Sequence, residues 1–239
     1  MLFWLAGCTP EPEIALSGVV WDGPGETSPP LGDVAIEILS EDERTLARTR
    51  ADADGAFSVV LRETGTVFSV LRKDGYATTT FPGVIGAVAE QQVEPHALYA
   101  VSLEATAAEE ARFAGCPGAG EGAASVGGEV RVFGLEDPIT GVAPLVETGK
   151  VTLVGEDAPK DEWRACYLAD DGVAWDPEAF WTGAAGTFGF FGLPPDVYDL
   201  EVRFELSDEL YETASYPVYI PDDPVVRAPW YPAWVEFPF

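Results

Sequence analysis

Histidine is almost absent from this chain: His96 is the only one among 239 residues. A Ser-His-Asp triad would have to use it. The nearest approach to a nucleophile elbow, "AASVG" (123–127), has Ala123 where the first glycine is required, and it lies in a Gly/Ala-rich stretch. Cysteine is nearly as scarce, and Cys116, Cys166 and His96 show no zinc-ligand spacing. Basic residues number 13 against 41 acidic ones, a formal net charge of -28. Such a surface repels nucleic-acid phosphates and anionic lipid headgroups, so no nucleic-acid partner is expected and membrane attachment must be covalent or hydrophobic. Long apolar runs are missing too: past the N-terminus nothing approaches the about 18 residues of a membrane helix. "TGK" (148–150) lacks the glycine-rich approach and the following Ser/Thr of a phosphate loop. No cofactor, resident metal or catalytic residue is expected.

What is present points to β-structure. Hydrophobic residues make up 47% and aromatics 12%, enough for a packed core, while Gly 25 and Pro 20 favour turns and short strands. Val34, Ile36 and Ile38 recur at period two, the mark of a half-buried strand. "TRADADGAFSVVL" (49–61) then gives an Asp/Gly turn and another alternating run, and "TVFSVLRKDGYATTTF" (66–81) a strand, turn and strand. This order recurs in the second half. "GGEVRVFG" (127–134) parallels "SGVVWDG", "KVTLVG" (150–155) parallels "VAIEIL", and Gly186-x-Phe188 parallels Gly55-x-Phe57. The second copy is longer by a polar and aromatic insertion, 156–181. Between the copies, 103–115 reads as a short Ala/Glu helix ending at a glycine, and 116–128 as a flexible Gly/Ala linker.

The resulting expectation is an all-β chain of two β-sandwich domains, 14–104 and 129–239, joined by a helix and linker over 105–128. Limited proteolysis should cut within 116–128, and each half should fold alone. Gly18, Val34, Asp52, Gly55, Phe57, Gly75 and Tyr76, with "CYLADDG" (166–172), "GTFGFFGLPP" (186–195) and Tyr198 in the longer copy, resemble the carboxypeptidase regulatory-like domain. The resemblance implies a transthyretin-like Greek-key sandwich. Where that family has Pro-Pro-Gly, this chain has Pro194-Pro195-Asp196. Transthyretin-like enzymes that open a purine-derived ring use several histidines, so that activity is not expected here.

At the N-terminus, Leu5, Ala6, Gly7 and Cys8 resemble the bacterial lipobox position by position. The resemblance implies cleavage before Cys8 and lipidation of that residue. Residues 1–13 then read as a signal remnant and a tether, "TPEPE", that reaches roughly 17 Å when extended. The missing basic region and the short apolar run suggest a true start upstream of Met1. Export implies an oxidising compartment, in which Cys116 and Cys166 are the thiols left to pair; two buried, unpaired thiols are the alternative.

Acidic turns at 52–55, 169–172 and 221–224 could hold calcium, but Asp and Gly suit turns for backbone reasons alone. Trp163, Tyr167, Trp175 and Trp181 in the insertion either pack a core or offer flat surfaces for ligand stacking. The functional expectation is a non-catalytic, lipid-anchored envelope protein, of the outer membrane, presenting sandwiches to protein or glycan. A carbohydrate-binding module using the insertion aromatics, or a hydrolase with an unrecognised carboxylate pair, are the alternatives.

Overall fold

The computed structural model describes residues 13–119, 124–133, 149–155, 163, 165–184, 186–206, 209–212, 216–227 and 231–236. Among the described residues the fold is all-β apart from one short helix and one 3-10 turn. Cys8 and the rest of 1–12 lie outside the described residues, as does most of the first part of the insertion.

The first half contains β1 (Ile14–Asp22), β2 (Ala35–Ser40), β3 (Thr45–Arg50), β4 (Ala56–Leu61), β5 (Gly65–Arg72), β6 (Thr78–Ile85), β7 (Glu90–Gln92) and β8 (Leu98–Ala100). β1 is flanked by antiparallel β4 and by parallel β7 and β8, while β3, β2, β5 and β6 form an antiparallel layer facing it. The period-two pattern explains the packing. Val34, Ile36 and Ile38 are buried against Leu16, Val20, Phe57 and Leu71, while Glu37 between them turns outward to Arg48 and Arg72. Burial opposes the ionised form of Glu37, but the hydrogen bonds from Arg48, Thr45 and Arg72 outweigh it and hold the carboxyl below its ordinary range.

Helix α1 (Leu103–Glu110) follows, capped by the Ser102 side chain, which accepts a hydrogen bond from the Ala105 amide at 3.1 Å. The second half then adds β9 (Ala124–Phe133), β10 (Gly149–Gly155), β11 (Cys166–Leu168), β12 (Trp175–Asp176), β13 (Thr187–Leu193), β14 (Asp196–Leu206), β15 (Glu209–Glu212), β16 (Tyr216–Ile220), β17 (Val226–Arg227) and β18 (Tyr231–Glu236). Its core unites Val126, Val151, Leu153, Phe188, Leu200 and Val218.

The two copies agree in register as well as in order. Gly18 pairs with Phe57 across β1 and β4, and Gly128 pairs with Phe188 across β9 and β13. Gly55 and Gly186, two residues before those phenylalanines, adopt φ of 75° and 60°, the left-handed region that favours glycine. In each half the first strand also lies parallel to the last one: β1 to β8, and β9 to β18.

One expectation about the middle of the chain needs correction. The flexible linker does not extend to 128, because residues 124–128 already belong to β9 and pair with β13, so a boundary at 129 cuts through a strand. The two halves are also joined through strand pairing. β17 lies parallel to both β6 and β9, so that a single ten-stranded sheet crosses from one half into the other. The Thr78 amide donates to the Val225 carbonyl at 2.9 Å, and the Thr80 hydroxyl to the Tyr219 carbonyl at 2.8 Å. Leu39, Phe68 and Val70 of the first half pack against Val197 and Tyr219 of the second. Burial and the neighbouring Glu43 carboxylate push the Tyr219 hydroxyl up to about 12.

At the centre of this joint Arg227, only 5% exposed, pairs with Glu109 near the end of α1. Burial raises the pKa of the adjacent Glu110; the Arg227 charge opposes that rise and Glu109 adds to it. Arg227→Met should cost about 3 kcal/mol because it strands Glu109, and adding Glu109→Gln should recover most of the loss. Glu110→Gln should stabilise the chain at pH 7, where the native state bears the cost of ionising a half-buried carboxyl. That gain should vanish below the ordinary glutamate value of 4.5, where both side chains are neutral. Urea unfolding across pH 3.5 to 7 measures both effects.

Candidate functional site

The surface most unlike an ordinary sandwich face is built where the chain passes from α1 into the second half. After α1 a 3-10 turn, Ala111–Phe113, drops Phe113 into a small apolar cluster with Cys116, Cys166, Leu168 and Phe191. The Phe113 and Phe191 rings meet with centroids 4.9 Å apart. Cys116 and Cys166 are joined in a disulfide, their Cα atoms 6.2 Å apart. Arg112 adds a second tie by donating to the Gly172 carbonyl at 2.6 Å. The segment after the helix is therefore fastened to the insertion.

An aromatic cleft of about 530 Å³ opens beside the disulfide, with Trp163, Trp175, Pro117, Pro177, Phe190 and Phe191 among its walls. This lies within the size range of small-ligand pockets. A neighbouring cleft of similar volume shares Ala179 with it and carries Asp170, Asp171, Asp176 and Glu178 with Phe180 and Trp181. Those two aromatics are 60% and 58% exposed, a combination of flat apolar rings and carboxylates open to solvent.

The four insertion aromatics singled out from the sequence thus have different positions. Trp163 and Trp175 line the first cleft, and Trp181 the second. Tyr167 is a correction: it is 3% exposed in the core of the second half, and the Val151 amide donates to its hydroxyl at 2.9 Å. A tyrosine whose ring is buried and whose oxygen holds a strand has no face to offer a ligand. Pro117, Phe190 and Phe191 were not anticipated; the alternation in β13 marks Phe190 as a core residue, and nothing local shows that it edges a cleft.

Two of the three acidic turns have a backbone explanation, while in the third Asp223 accepts from Arg72 at 3.0 Å. Asp52 Oδ1 accepts from the amides of Asp54 and Ala56 at 2.9 and 3.0 Å, and Asp171 Oδ1 from Val173 at 2.9 Å. Asp170 Oδ1 accepts from the Ala184 amide at 3.0 Å, tying the two ends of the second cleft. Among the described residues there is no group of three or more potential metal-ligating side chains. His96 stacks on Trp21 with ring centroids 4.0 Å apart, in the first half. Ser125 is buried inside β9, opposite Phe191 and Arg227, a setting unlike the exposed strand-to-helix turn of a nucleophile elbow.

No protein-family model matches the chain, and no curated protein matches it. Several solved structures are similar in part. The shaft pilin SpaA from Lactobacillus rhamnosus GG is 12% identical, with 91% of this chain and 95% of that one covered and a TM-score of 0.28. A streptococcal ancillary pilin is 13% identical, with 91% and 61% covered and a TM-score of 0.29. The Bacillus anthracis TIE protein is 14% identical, with 94% and 34% covered and a TM-score of 0.28. Similarity at that level assigns no function to this chain.

Breaking the bridge tests whether it holds the cleft. Cys116→Ala with Cys166→Ala should lower the unfolding free energy by about 4 kcal/mol on chain-entropy grounds, given a closed loop of 50 residues. The double variant should also bind the dye ANS more strongly while still folded, as Phe113 and Phe191 become accessible. Urea titration and dye fluorescence report the two effects.

Proposed function

We propose that this chain is a non-catalytic, exported protein of the bacterial envelope that presents a stiff pair of β-sandwiches for structural or adhesive contact. The observation that carries the reading is the Cys116–Cys166 disulfide and the aromatic cleft beside it. A structural disulfide fits a chain matured in an oxidising compartment. A cleft framed by tryptophan and proline side chains, next to exposed rings, is a contact surface rather than a reaction centre. Asp52, Asp170 and Asp171 each commit Oδ1 to backbone amides, which favours a structural role over the carboxylate-pair hydrolase.

The sheet order supports the finer assignment to the carboxypeptidase regulatory-like, transthyretin-like class. One layer is β4-β1-β7 and the other is β3-β2-β5-β6, and the second half repeats the pairing of its first strand with β13 and of β10 with β14. Attachment through lipid on Cys8 to the outer membrane completes the proposal, with the "TPEPE" tether placing the first half close to the bilayer. Two or more acyl chains hold a protein stably, whereas one alone is marginal.

A carbohydrate-binding role is the second reading, favoured by Trp163 and Trp175 on the walls of one cleft. Expressed with a complete export signal, the chain should partition into detergent, and Cys8→Ser should release it to the aqueous phase; a membrane-bound Ser variant would remove the anchor. Pull-down on immobilised soluble glycans separates the two contact modes. Retention by the native chain and loss in Trp175→Ala would establish glycan binding, and no retention of either would leave protein contact.

A further inference from the structure

We propose that the fold is built to carry tension along the chain, and that the Cys116–Cys166 bridge passes that tension from the first half directly to the wall of the aromatic cleft. The biological use of this resistance rests on the anchored, adhesive reading above; the mechanics rest on strand direction alone.

The first half receives a pull from the N-terminal side at Ile14 and passes it on after Ala100. These two points lie at opposite ends of strands that run side by side in the same direction. Ala15, Leu16 and Ser17 are in register with Glu90, Gln91 and Gln92, and Val20, Trp21 and Asp22 with Leu98, Tyr99 and Ala100. Direct bonds join them in two stretches, one at each end of β1: Ala15 N to Ala89 O at 2.9 Å and Val93 N to Ser17 O at 2.8 Å in the first, and Gly23 N to Ala100 O at 2.9 Å in the second. A force that draws Ile14 one way and Ala100 the other acts along both stretches, so their bonds share the load together. Were the strands antiparallel neighbours joined by a hairpin, the same force would open one bond at a time. β1 is further held on its other edge by six register pairs with β4.

The second half repeats the device. β18 is parallel to β9 over six register pairs, from Tyr231 opposite Gly128 to Glu236 opposite Phe133. The disulfide decides where the load arrives. A covalent bridge across 50 residues leaves the chain between the cysteines slack, so the pull passes from Cys116 to Cys166 at the start of β11. Cys166 is in register with Gly189 of β13, which is in register with Gly127 of β9, one residue from the partner of Tyr231. The load therefore enters at the end of the sheet where β18 begins and leaves at the end where β18 stops. Oxidised or reduced, the last strand is sheared and not peeled.

The bridge has one more consequence. Cys166 lines the aromatic cleft, with Trp163 and Ala165 just before it. A partner seated there would pull on this wall, and the disulfide hands that pull to Cys116, to α1 and to the β1–β8 ladder. β9 and β10 are bypassed. Pairing of Glu109 with Arg227 and of Arg112 with the Gly172 carbonyl keeps α1 against the second half as it takes the strain.

Single-molecule force spectroscopy on the full chain carrying Cys8→Ser tests this without any need for an anchor or a partner. Forced unfolding reads the barrier in the direction of pull. Handles at the two ends should give a rupture force for the first half several times that found with handles at residues 13 and 90, which peel β1 from β7 starting at one end. Equal forces in the two geometries would overturn the shear arrangement. Adding dithiothreitol should lengthen the step from the second half by roughly 170 Å, the extended length of the 50 residues held behind the bridge. No added length, or free thiols in unreduced peptides of periplasmically made protein, would overturn the role given to the disulfide. High force in this variant, together with a chain that retains Cys8 and is expressed with a complete export signal yet fails to partition into detergent, would refute the anchored reading and leave the mechanics intact.

Discussion

The two-residue strand β17 is what makes one sheet of the two halves. Val226 and Arg227 fill the gap between β6 of the first half and β9 of the second, completing both ladders at once. A gap of that kind cannot stay empty in a packed protein, since the edge amides of β6 and β9 would otherwise face a buried void. The arginine that comes with it must be neutralised where it lies, and Glu109 is brought there by α1. The short helix between the halves thereby has a task in the joint beyond connecting them.

With the halves fixed by β17, the segment after α1 has little freedom. Phe113 lands beside Phe191, and the disulfide closes at a geometry compatible with the backbone on either side. The cleft is a product of this closure. Its walls come from the segment after α1 (Pro117), the insertion (Trp163, Trp175) and β13 (Phe190, Phe191), three stretches far apart in sequence that meet only once the second sandwich has formed. The large negative charge fits the same picture. Some carboxylates are used inside turns, and Glu63, Glu37 and Asp33 pair with Arg44, Arg48, Arg50 and Arg72.

Period-two burial, the Asp/Gly turns and the duplicated Gly-x-Phe landmarks were legible in the sequence because each depends on residues a few positions apart. Strand alternation decides which side chains face inward, and a left-handed turn selects glycine at Gly55 and Gly186 whatever surrounds it. The two sandwich cores follow from these local rules, and so do their paired registers, Gly18 with Phe57 and Gly128 with Phe188.

Tertiary structure alone decided the rest. The stretch 124–128 looks like linker because Ala, Ser and Gly have low strand propensity, and it becomes a strand because β13 and β17 offer it partners on both edges. Tyr167 and Trp175 read alike as aromatics in an insertion, yet one is buried with its hydroxyl on Val151 and the other lines a cleft, a difference set by β11 pairing with β13 while β12 lies outside it at the sheet's edge. "VVR" at 225–227 carries no local sign that it will join two sheets. Long-range pairing leaves no periodic trace in a segment of two residues, so composition and spacing determined the two cores, and only the assembled fold determined that they are one molecule.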